Sequence, residues 1–235
     1  MKLAVITAHA LADSLSEAVL SWGGDIPLFI ENGKHGMLNA YQVGFAVAGL
    51  AEGYDLLAFI HDDVIIHDTE RWFVKVRSEF EDPRVGLVGF GGALGHGSPE
   101  LYKVPYDYHQ LGRSQFLSNM DDAEVHGKRF TGSCDVAVLD GFSLIVRRQI
   151  LETAGGWPVN NLGYVGYDYW LSCMTRRLGY RIRLVGVSCA HLGGRTFVKL
   201  GLGQGPEHWA QFLAAHEYIY NEFRDVLPVT FTIPL

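Results

Sequence analysis

The sequence lacks the signature motifs of several common nucleotide-binding and hydrolytic enzymes. No G-x-x-x-x-G-K-[ST] occurs, and the segment after the first apolar run reads Ala8-His9-Ala10 where a G-x-G-x-x-G fingerprint would begin. A G-x-S-x-G elbow is also missing. These motifs present backbone N–H groups to phosphates or expose a nucleophilic serine. Their absence argues against P-loop nucleotide hydrolases, Rossmann dehydrogenases and α/β-hydrolases.

Cysteine and long apolar runs are also scarce. The three cysteines are an odd number without a C-x-x-C pair, so neither a disulfide framework nor a zinc knuckle is indicated. A reducing cytoplasm is the compartment that we expect. The apolar stretches, such as Val43–Ala51, are shorter than the roughly 20 residues that a membrane span needs. The apolar run near the start of the chain is shorter than the apolar region that we expect of a signal peptide.

Positive charge is the third deficit. Lys and Arg number 19 against 26 Asp and Glu, for a net charge of −7, which argues against sequence-blind binding of DNA or RNA. A local basic pocket stays open, because positive side chains cluster in the second half. They are Arg147, Arg148, Arg176, Arg177, Arg181, Arg183 and Arg195.

Apolar runs alternate with segments of helical period, which predicts an α/β fold: one domain with a mostly parallel central sheet flanked by helices. The predicted strands are Leu3–Ala8, Ile26–Ile30, Leu56–Ile60, Val85–Phe90, Val136–Val146 and Arg181–Val187. The predicted helices are Ser14–Ser21, Leu38–Leu50, Thr69–Phe80, Tyr167–Leu178 and Trp209–Phe223. Gly91–Ser133 reads as a long functional loop and Gly193–Gly205 as a flexible, glycine-rich one.

Polar clusters follow the first three predicted strands, at Thr7–His9, Glu31-Asn32 and His61–Asp63. Parallel sheets bind ligands beyond the carboxyl ends of their strands. The adjacent acids Asp62 and Asp63 are costly at such an edge unless a cation or a proton compensates them. Mg²⁺ or Mn²⁺ would do so and would bridge to substrate phosphates. A solvated acidic loop or a helix cap is the alternative.

Three further side chains are candidates for chemistry. Asp168 begins a predicted helix among aromatic residues. Burial of Asp168 beside them would raise its pKa toward that of a general base; helix capping is the alternative. His191 follows a strand and could ligate a metal or a phosphate, or be structural. Arg195 could clamp a diphosphate or lie solvated.

Four groups of residues, in order, resemble glycosyltransferases of the GT-A fold, in the large inverting, family two-like group of bacterial and phage enzymes. The resemblance covers about Leu3 to Gly194. The first group is Glu31-Asn32-Gly33 with Leu38-Asn39-Ala40 and Gly44; the second is Phe59–Val64, similar to a strand with D-x-D; the third is Gly155-Gly156-Trp157, Gly166-Tyr167-Asp168 and Arg176–Ile182; the fourth is His191 with Gly193-Gly194.

This resemblance implies roles for residues at the matching positions. Asp63 would be the main metal ligand and Asp62 would contact the ribose or support the metal. Asp168 would be the general base. His191 would touch the metal or the diphosphate, and the nucleotide pocket would be lined by Thr7, His9, Glu31 and Asn39. Two positions depart from the pattern: His61 replaces the first acid of D-x-D, and Tyr167 replaces the acid before the catalytic aspartate.

The expected function is metal-dependent, inverting transfer of a sugar from a nucleoside-diphosphate donor to an acceptor hydroxyl. Residues 1–90 would form the nucleotide-binding half, and residues 91–235 the acceptor-binding half with the C-terminal helix. Gly193–Gly205 would close as a lid. A glycan is favoured as acceptor over modified bases of phage DNA because the chain is acidic. A nucleotidyltransferase is disfavoured because Ala8–Leu15 has no Lys or Arg, and a non-catalytic glycan- or nucleotide-binding module stays open. The sequence gives no oligomeric state.

Overall fold

A computed structural model describes residues 1–9, 15–23, 26–33, 36–50, 53–69, 71–96, 116–193 and 206–232. The helices are α1 (Leu15–Trp22), α2 (Met37–Leu50), α3 (Trp72–Glu79), α4 (Ala123–His126), α5 (Arg148–Ala154), α6 (Tyr167–Arg177) and α7 (Pro206–Glu222). The strands are β1 (Leu3–His9), β2 (Leu28–Asn32), β3 (Leu56–Ile60), β4 (Val64–Ile66), β5 (Val85–Gly89), β6 (Gly91–Ala93), β7 (Gly95–His96), β8 (Phe116–Ser118), β9 (Lys128–Arg129), β10 (Ser133–Asp135), β11 (Val138–Leu139), β12 (Ser143–Arg147), β13 (Arg181–Val185), β14 (Cys189–His191) and β15 (Val229–Thr230).

A seven-stranded central sheet has the order β10-β13-β5-β12-β3-β1-β2. The strands β2, β1, β3, β5 and β13 run in one direction, whereas β12 and β10 are antiparallel to their neighbours. The α/β architecture predicted from the alternating pattern is therefore confirmed. Strand β12 lies in the middle of the sheet, between β3 and β5, and pairs antiparallel with both.

Two local predictions were wrong. The apolar segment Val136–Val146 is not one strand, because a turn at Gly141-Phe142 separates β11 from β12. Strand β11 joins a second sheet of order β11-β6-β8-β9. Within Gly91–Ser133, predicted as a loop, the described residues form the short strands β6 to β9 and helix α4. Strands of two or three residues are too short to show a period of two in sequence.

Close helix–sheet contact positions the start of α2 beside the strand ends. Gly44 faces β1, and a Cβ at this position would lie 2.4 Å from Ile6 Cγ2. The core contains fully buried large side chains such as Tyr41, Phe59 and Phe142, and burial of each of the two phenylalanines stabilises the fold by about 1.5–3 kcal/mol. Among the described residues, no helix is both long and apolar enough to cross a membrane.

The arginines of the second half do not form a basic pocket in the described part of the chain. They bond to backbone carbonyls or acids that hold elements together: Arg147 to Val85, Phe80 and Asp82; Arg148 to Glu152; Arg176 to Val136 and Ala137; Arg177 to Glu222 and Asp225; Arg181 to Asp82 and Asp135; and Arg183 to Glu79. Arg195 lies outside the described residues. These six arginines therefore support the fold.

Two buried histidines predict an acid-sensitive fold. His96 and His216 flank the Tyr169 ring, with centroid distances of 4.8 and 4.9 Å. Burial lowers the pKa of His216 to about 4; burial and then the charge of His216 lower the pKa of His96 to about 3. Between the unfolded value near 6.5 and these values, the unfolded chain binds more protons, so stability falls as pH falls through this window.

We expect acidification from pH 7.5 to 5.0 to cost about 2 kcal/mol of unfolding free energy through His216 alone. His216→Phe replaces the imidazole with an apolar ring among aromatic neighbours and removes that share. Urea unfolding of both proteins at both pH values measures it. An equal decline in the variant and the wild type would show that His216 is not the titrating group.

Candidate active site

The parallel register of β1 and β3 brings His9 to Asp62. Ile6 pairs with Phe59 in this register, so the carboxyl ends of the two strands lie side by side. His9 Nδ1 is 2.8 Å from Asp62 Oδ2, and Asp62 is only 7% exposed. Burial raises the pKa of Asp62 and the hydrogen bond to His9 partly offsets that rise. Asp62, the middle residue of His61-Asp62-Asp63, is thus oriented toward the β1–β2 side of the edge.

Strand β14 delivers His191 to Asp63. It pairs antiparallel with β4, so that His191 lies opposite Val64, and the Leu192 N–H donates to the Asp63 carbonyl (3.0 Å). His191 Nε2 lies 3.4 Å from Asp63 Oδ1. The ring of Phe142 stacks on the imidazole, with centroids 5.0 Å apart. A residue 128 positions downstream of Asp63 therefore reaches the acidic motif through one short sheet.

His61 completes a set of three donor groups. Its Nδ1 lies 3.4 Å from His191 Nε2, and one donor atom each from His61, Asp63 and His191 lie within 4.8 Å of one another. Metal bonds of about 2.0–2.2 Å place neighbouring donors of one ion about 3 Å apart. Two imidazoles and a carboxylate at these distances fit a divalent cation.

The electrostatics favour the metal-ligating forms of His61 and Asp63, whereas the contact with Asp63 favours the protonated form of His191. Burial, and then the charge of His191, lower the pKa of His61 to about 4. Burial raises the pKa of Asp63, but the hydrogen bond and charge of His191 outweigh it, so the net pKa is lowered. For His191 burial acts downward, and the bond to Asp63 outweighs it, so the net pKa is raised. A neutral His61 and an ionised Asp63 are thus the forms expected near neutral pH.

Asp168 lies in a pocket beside this cluster. The pocket has a volume of about 190 Å³ and is lined by Asp140, Gly141, Tyr164, Val165, Gly166, Tyr167, Asp168, Tyr169 and Phe212. The Asp168 carboxylate is half-buried and accepts hydrogen bonds from the N–H groups of Gly141 (3.2 Å) and Tyr169 (2.9 Å). Burial, and then the charge of Asp140, raise its pKa to about 7. A carboxylate with such a pKa is suited to general base catalysis at neutral pH.

The Gly155-Gly156-Trp157 motif packs against residues that support the site. Gly155 and Gly156 have positive φ after α5, and the Trp157 N–H donates to Gln42 Oε1 (2.7 Å). The indole packs on Phe59 and Tyr167, with ring centroids 5.0 and 6.1 Å apart. This motif therefore ties α2, β3 and α6 together beneath the candidate ligands.

The remaining predicted nucleotide-pocket residues lie in different settings. Glu31 pairs in register with Ala8 and is half-buried, and Asn39 is exposed in the first turns of α2. Thr7 is fully buried near the end of β1, and its role in the nucleotide pocket stays a prediction. Arg195 and most of the predicted lid Gly193–Gly205 lie outside the described residues, and their roles stay predictions.

Three residues were missed as site residues by sequence reasoning. His61 departs from the acidic motif in sequence, but its ring lies with Asp63 and His191. Tyr167 replaces an acid of the motif in sequence, but its hydroxyl lies 2.8 Å from His61 Nε2. Asp140 lines the Asp168 pocket. The only signal in the sequence was the position of His61, which is two residues from Asp63 and therefore able to share its side of the turn.

Comparison with known proteins gives little at the level of sequence. No family model matches the chain. A stretch of 84 residues is 37% identical to part of a phosphate acyltransferase from Halalkalibacterium halodurans. That match spans 35% of this chain and 23% of the acyltransferase, which is too little of either protein to assign a family.

Solved structures give the fold. GalNAc-T7 with UDP, GalNAc and Mn²⁺ aligns over 96% of this chain with a TM-score of 0.60 and 11% identity, and this chain spans about half of that one (49%). A mannosyltransferase from Pyrobaculum calidifontis, in complex with GDP-Man and Mn²⁺, aligns over 93% of this chain and 70% of its own, with a TM-score of 0.51 and 16% identity. A mutant Drosophila β-1,4-galactosyltransferase 7 with manganese, UDP-Gal and xylobiose aligns over 84% of this chain and 73% of its own, with a TM-score of 0.50 and 15% identity. These are GT-A glycosyltransferases, and the chain has the GT-A fold.

Proposed function

We propose that this protein is a metal-dependent glycosyltransferase that moves a sugar from a nucleoside-diphosphate donor onto an acceptor hydroxyl, with inversion at the anomeric carbon. The observation that carries the proposal is the position of two groups at one edge of the sheet: the donor set His61, Asp63 and His191, and the Asp168 pocket beside it. The likeness to structures that hold GDP-Man or UDP supports it.

The donor set His61, Asp63 and His191 would hold a divalent cation. A cation bound there would neutralise the negative charge that grows on the leaving diphosphate. Imidazole nitrogens favour transition-metal ions, whereas Mg²⁺ prefers an all-oxygen shell. We therefore propose Mn²⁺ over Mg²⁺ as the working ion.

The nucleotide would lie over the ends of β1 and β2, within residues 1–90. His9, Glu31, Asn39 and Asp62 surround this edge. Asp62 is held by His9 at 2.8 Å, and its second carboxylate oxygen would accept a hydrogen bond from a ribose hydroxyl. Residues 91–235 would then supply His191, which closes the cation site, and Asp168, which faces the acceptor.

Asp168 would accept the proton of the incoming acceptor hydroxyl. The N–H groups of Gly141 and Tyr169 fix its two oxygens, so the carboxylate is oriented before substrate binds. The raised pKa of Asp168, about 7, makes it basic enough to take up a proton as the hydroxyl attacks. Direct attack by the hydroxyl inverts the anomeric carbon.

The acceptor that we propose is a glycan. Tyr164, Tyr169 and Phe212 line the pocket around Asp168, and aromatic rings pack against the apolar CH faces of sugars. The net charge of −7 disfavours a nucleic-acid acceptor. We also propose a cytoplasmic location, because Cys134, Cys173 and Cys189 are buried free thiols.

A thermal-shift panel tests the donor site. Ligands that bind only the folded state raise its melting temperature by mass action. With Mn²⁺ present, we expect one nucleoside diphosphate, at about 100 times its Kd, to raise the melting temperature by about 5–10 °C. The shift should be smaller with Mg²⁺ and should disappear with EDTA.

The controls for this panel are the metal ion without nucleotide and the nucleotide without metal ion. If no nucleoside diphosphate or nucleotide sugar shifts the melting temperature in either metal, the proposed donor site does not exist. An equal shift with and without metal would retain nucleotide binding but contradict the role of the His61–Asp63–His191 set.

A further inference from the structure

The hydroxyl of Tyr167 contacts the candidate metal ligand His61. Tyr167 is the first residue of α6 and is buried, and its hydroxyl oxygen lies 2.8 Å from His61 Nε2. The other ring nitrogen, Nδ1, lies 3.4 Å from His191 Nε2. One nitrogen of His61 therefore faces the donor set and the other faces the tyrosine.

Gly141 leaves the space that this contact needs. A Cβ at position 141 would lie 2.0 Å from the Tyr167 hydroxyl oxygen, so any side chain here would displace the hydroxyl. The N–H of the same glycine donates to Asp168 Oδ2 (3.2 Å). The turn between β11 and β12 thus accommodates Tyr167 and positions Asp168 at once.

A neutral imidazole carries one N–H, and a metal needs the lone pair of the other nitrogen. If Nε2 carries the hydrogen and donates it to the tyrosine oxygen, Nδ1 presents its lone pair to Asp63 and His191. The opposite tautomer would place an N–H there and would block coordination. Partners of this kind orient metal-bound histidines, and their loss typically costs about 10- to 100-fold in metal affinity.

We propose that Tyr167 is a positioning residue: it accepts a hydrogen bond from His61 Nε2 and so holds His61 Nδ1 ready to bind the divalent cation. This proposal rests on the metal site of the proposed function. It also gives a reason for the joint appearance of histidine at position 61 and tyrosine at position 167, the two departures from the acidic pattern. An acid at position 61 would not need a partner that selects a tautomer.

Tyr167→Phe tests the proposal, with Tyr41→Phe as its matched control. Tyr41 lies in the same buried cluster, with its ring centroid 5.9 Å from that of Tyr167, and its hydroxyl has no hydrogen-bond partner within the described part of the chain. Titration of Mn²⁺, followed by the loss of the free-ion EPR signal, gives the Kd of each protein. We expect Tyr167→Phe to weaken binding about 10- to 100-fold and Tyr41→Phe to change it by less than about twofold.

A double-mutant cycle separates positioning from general support of the fold. In a His61→Ala background, Tyr167→Phe should cause no further loss of Mn²⁺ affinity, because its effect passes through the missing ring. A full additional loss in that background would overturn the proposal. Unchanged affinity of Tyr167→Phe in the wild-type background would overturn it too, while leaving the metal site intact.

The tautomer can be read without metal. In ¹⁵N-histidine-labelled protein, NMR of His61, assigned by its absence in His61→Ala, should show hydrogen on Nε2. Hydrogen on Nδ1 would overturn the proposal. If the wild type binds no Mn²⁺ although Nε2 carries the hydrogen, the proposed metal function fails, and the role of Tyr167 in metal binding fails with it, while their hydrogen bond stands.

Discussion

Asp168→Asn should lower the rate of sugar transfer by about 10²- to 10⁴-fold, the usual contribution of a general base. The amide is almost the same size as the carboxylate and can still accept one of the two N–H groups of Gly141 and Tyr169, but it cannot take up a proton. Because we propose that Asp168 faces the acceptor and not the nucleotide, the nucleotide-induced thermal shift should be nearly unchanged. Single-turnover transfer and thermal shift on the same preparation measure the two effects.

The pH profile supplies a second readout for the same residue. The wild-type rate should rise with pH through about 7, because the raised pKa of Asp168 leaves the carboxyl protonated and inactive below this value. Asp140→Asn is the matched control: it removes the neighbouring charge that contributes to the raised pKa, so its profile should move to lower pH while transfer persists. Wild-type turnover by Asp168→Asn, with inactivity of Asp140→Asn, would assign the base to Asp140 instead.

Asp63→Asn should weaken Mn²⁺ binding by more than about 100-fold, since loss of an outer-shell partner alone typically costs 10- to 100-fold. The change removes the only carboxylate of the candidate donor set and the partner of His191 at 3.4 Å. The metal-dependent part of the nucleotide-induced thermal shift should vanish with it. Calorimetric titration with Mn²⁺, followed by nucleotide, measures both losses.

Asp121→Asn is the control for nonspecific metal binding, because Asp121 forms an exposed pair with His67 (2.9 Å) outside the site. Its Mn²⁺ affinity should equal that of the wild type. If Asp63→Asn also bound Mn²⁺ normally, the cation site would have to be sought elsewhere, and the proposed coordination would be wrong.

Local sequence patterns were sufficient to predict most of the sheet and helices. The run Leu56–Ile60 is buried along its whole length in β3, and an apolar strand of this kind leaves the next residues, His61–Asp63, at the edge of the sheet. The helix predicted at Tyr167–Leu178 is α6, which places Asp168 in its first turn. These features depend on short-range periodicity, burial and chain stops, which neighbouring residues specify.

The arrangement of β12 could not be predicted in the same way. The apolar pattern of β12 is the same for a strand at the edge of the sheet and for one between β3 and β5. Its position in the sheet is decided by hydrogen bonds to residues more than 50 positions away. The turn at Gly141-Phe142, which divides the predicted strand, follows from that placement. Strand order depends on the packing of distant segments, and no local pattern encodes it.

The sequence by itself placed acids at the end of β3, Asp168 at the start of α6 and His191 at the end of a strand. Only the tertiary structure decided which side chains meet: Asp62 bonds His9, whereas Asp63 faces His191 and His61. The reason is that a side chain's partner depends on strand register and on the β4–β14 pairing, which bring residues from distant parts of the chain within about 3 Å, the range of a hydrogen bond or a metal's neighbouring ligands. Tyr167, which the sequence presented as a missing acid, acquires a partner in His61 for the same reason.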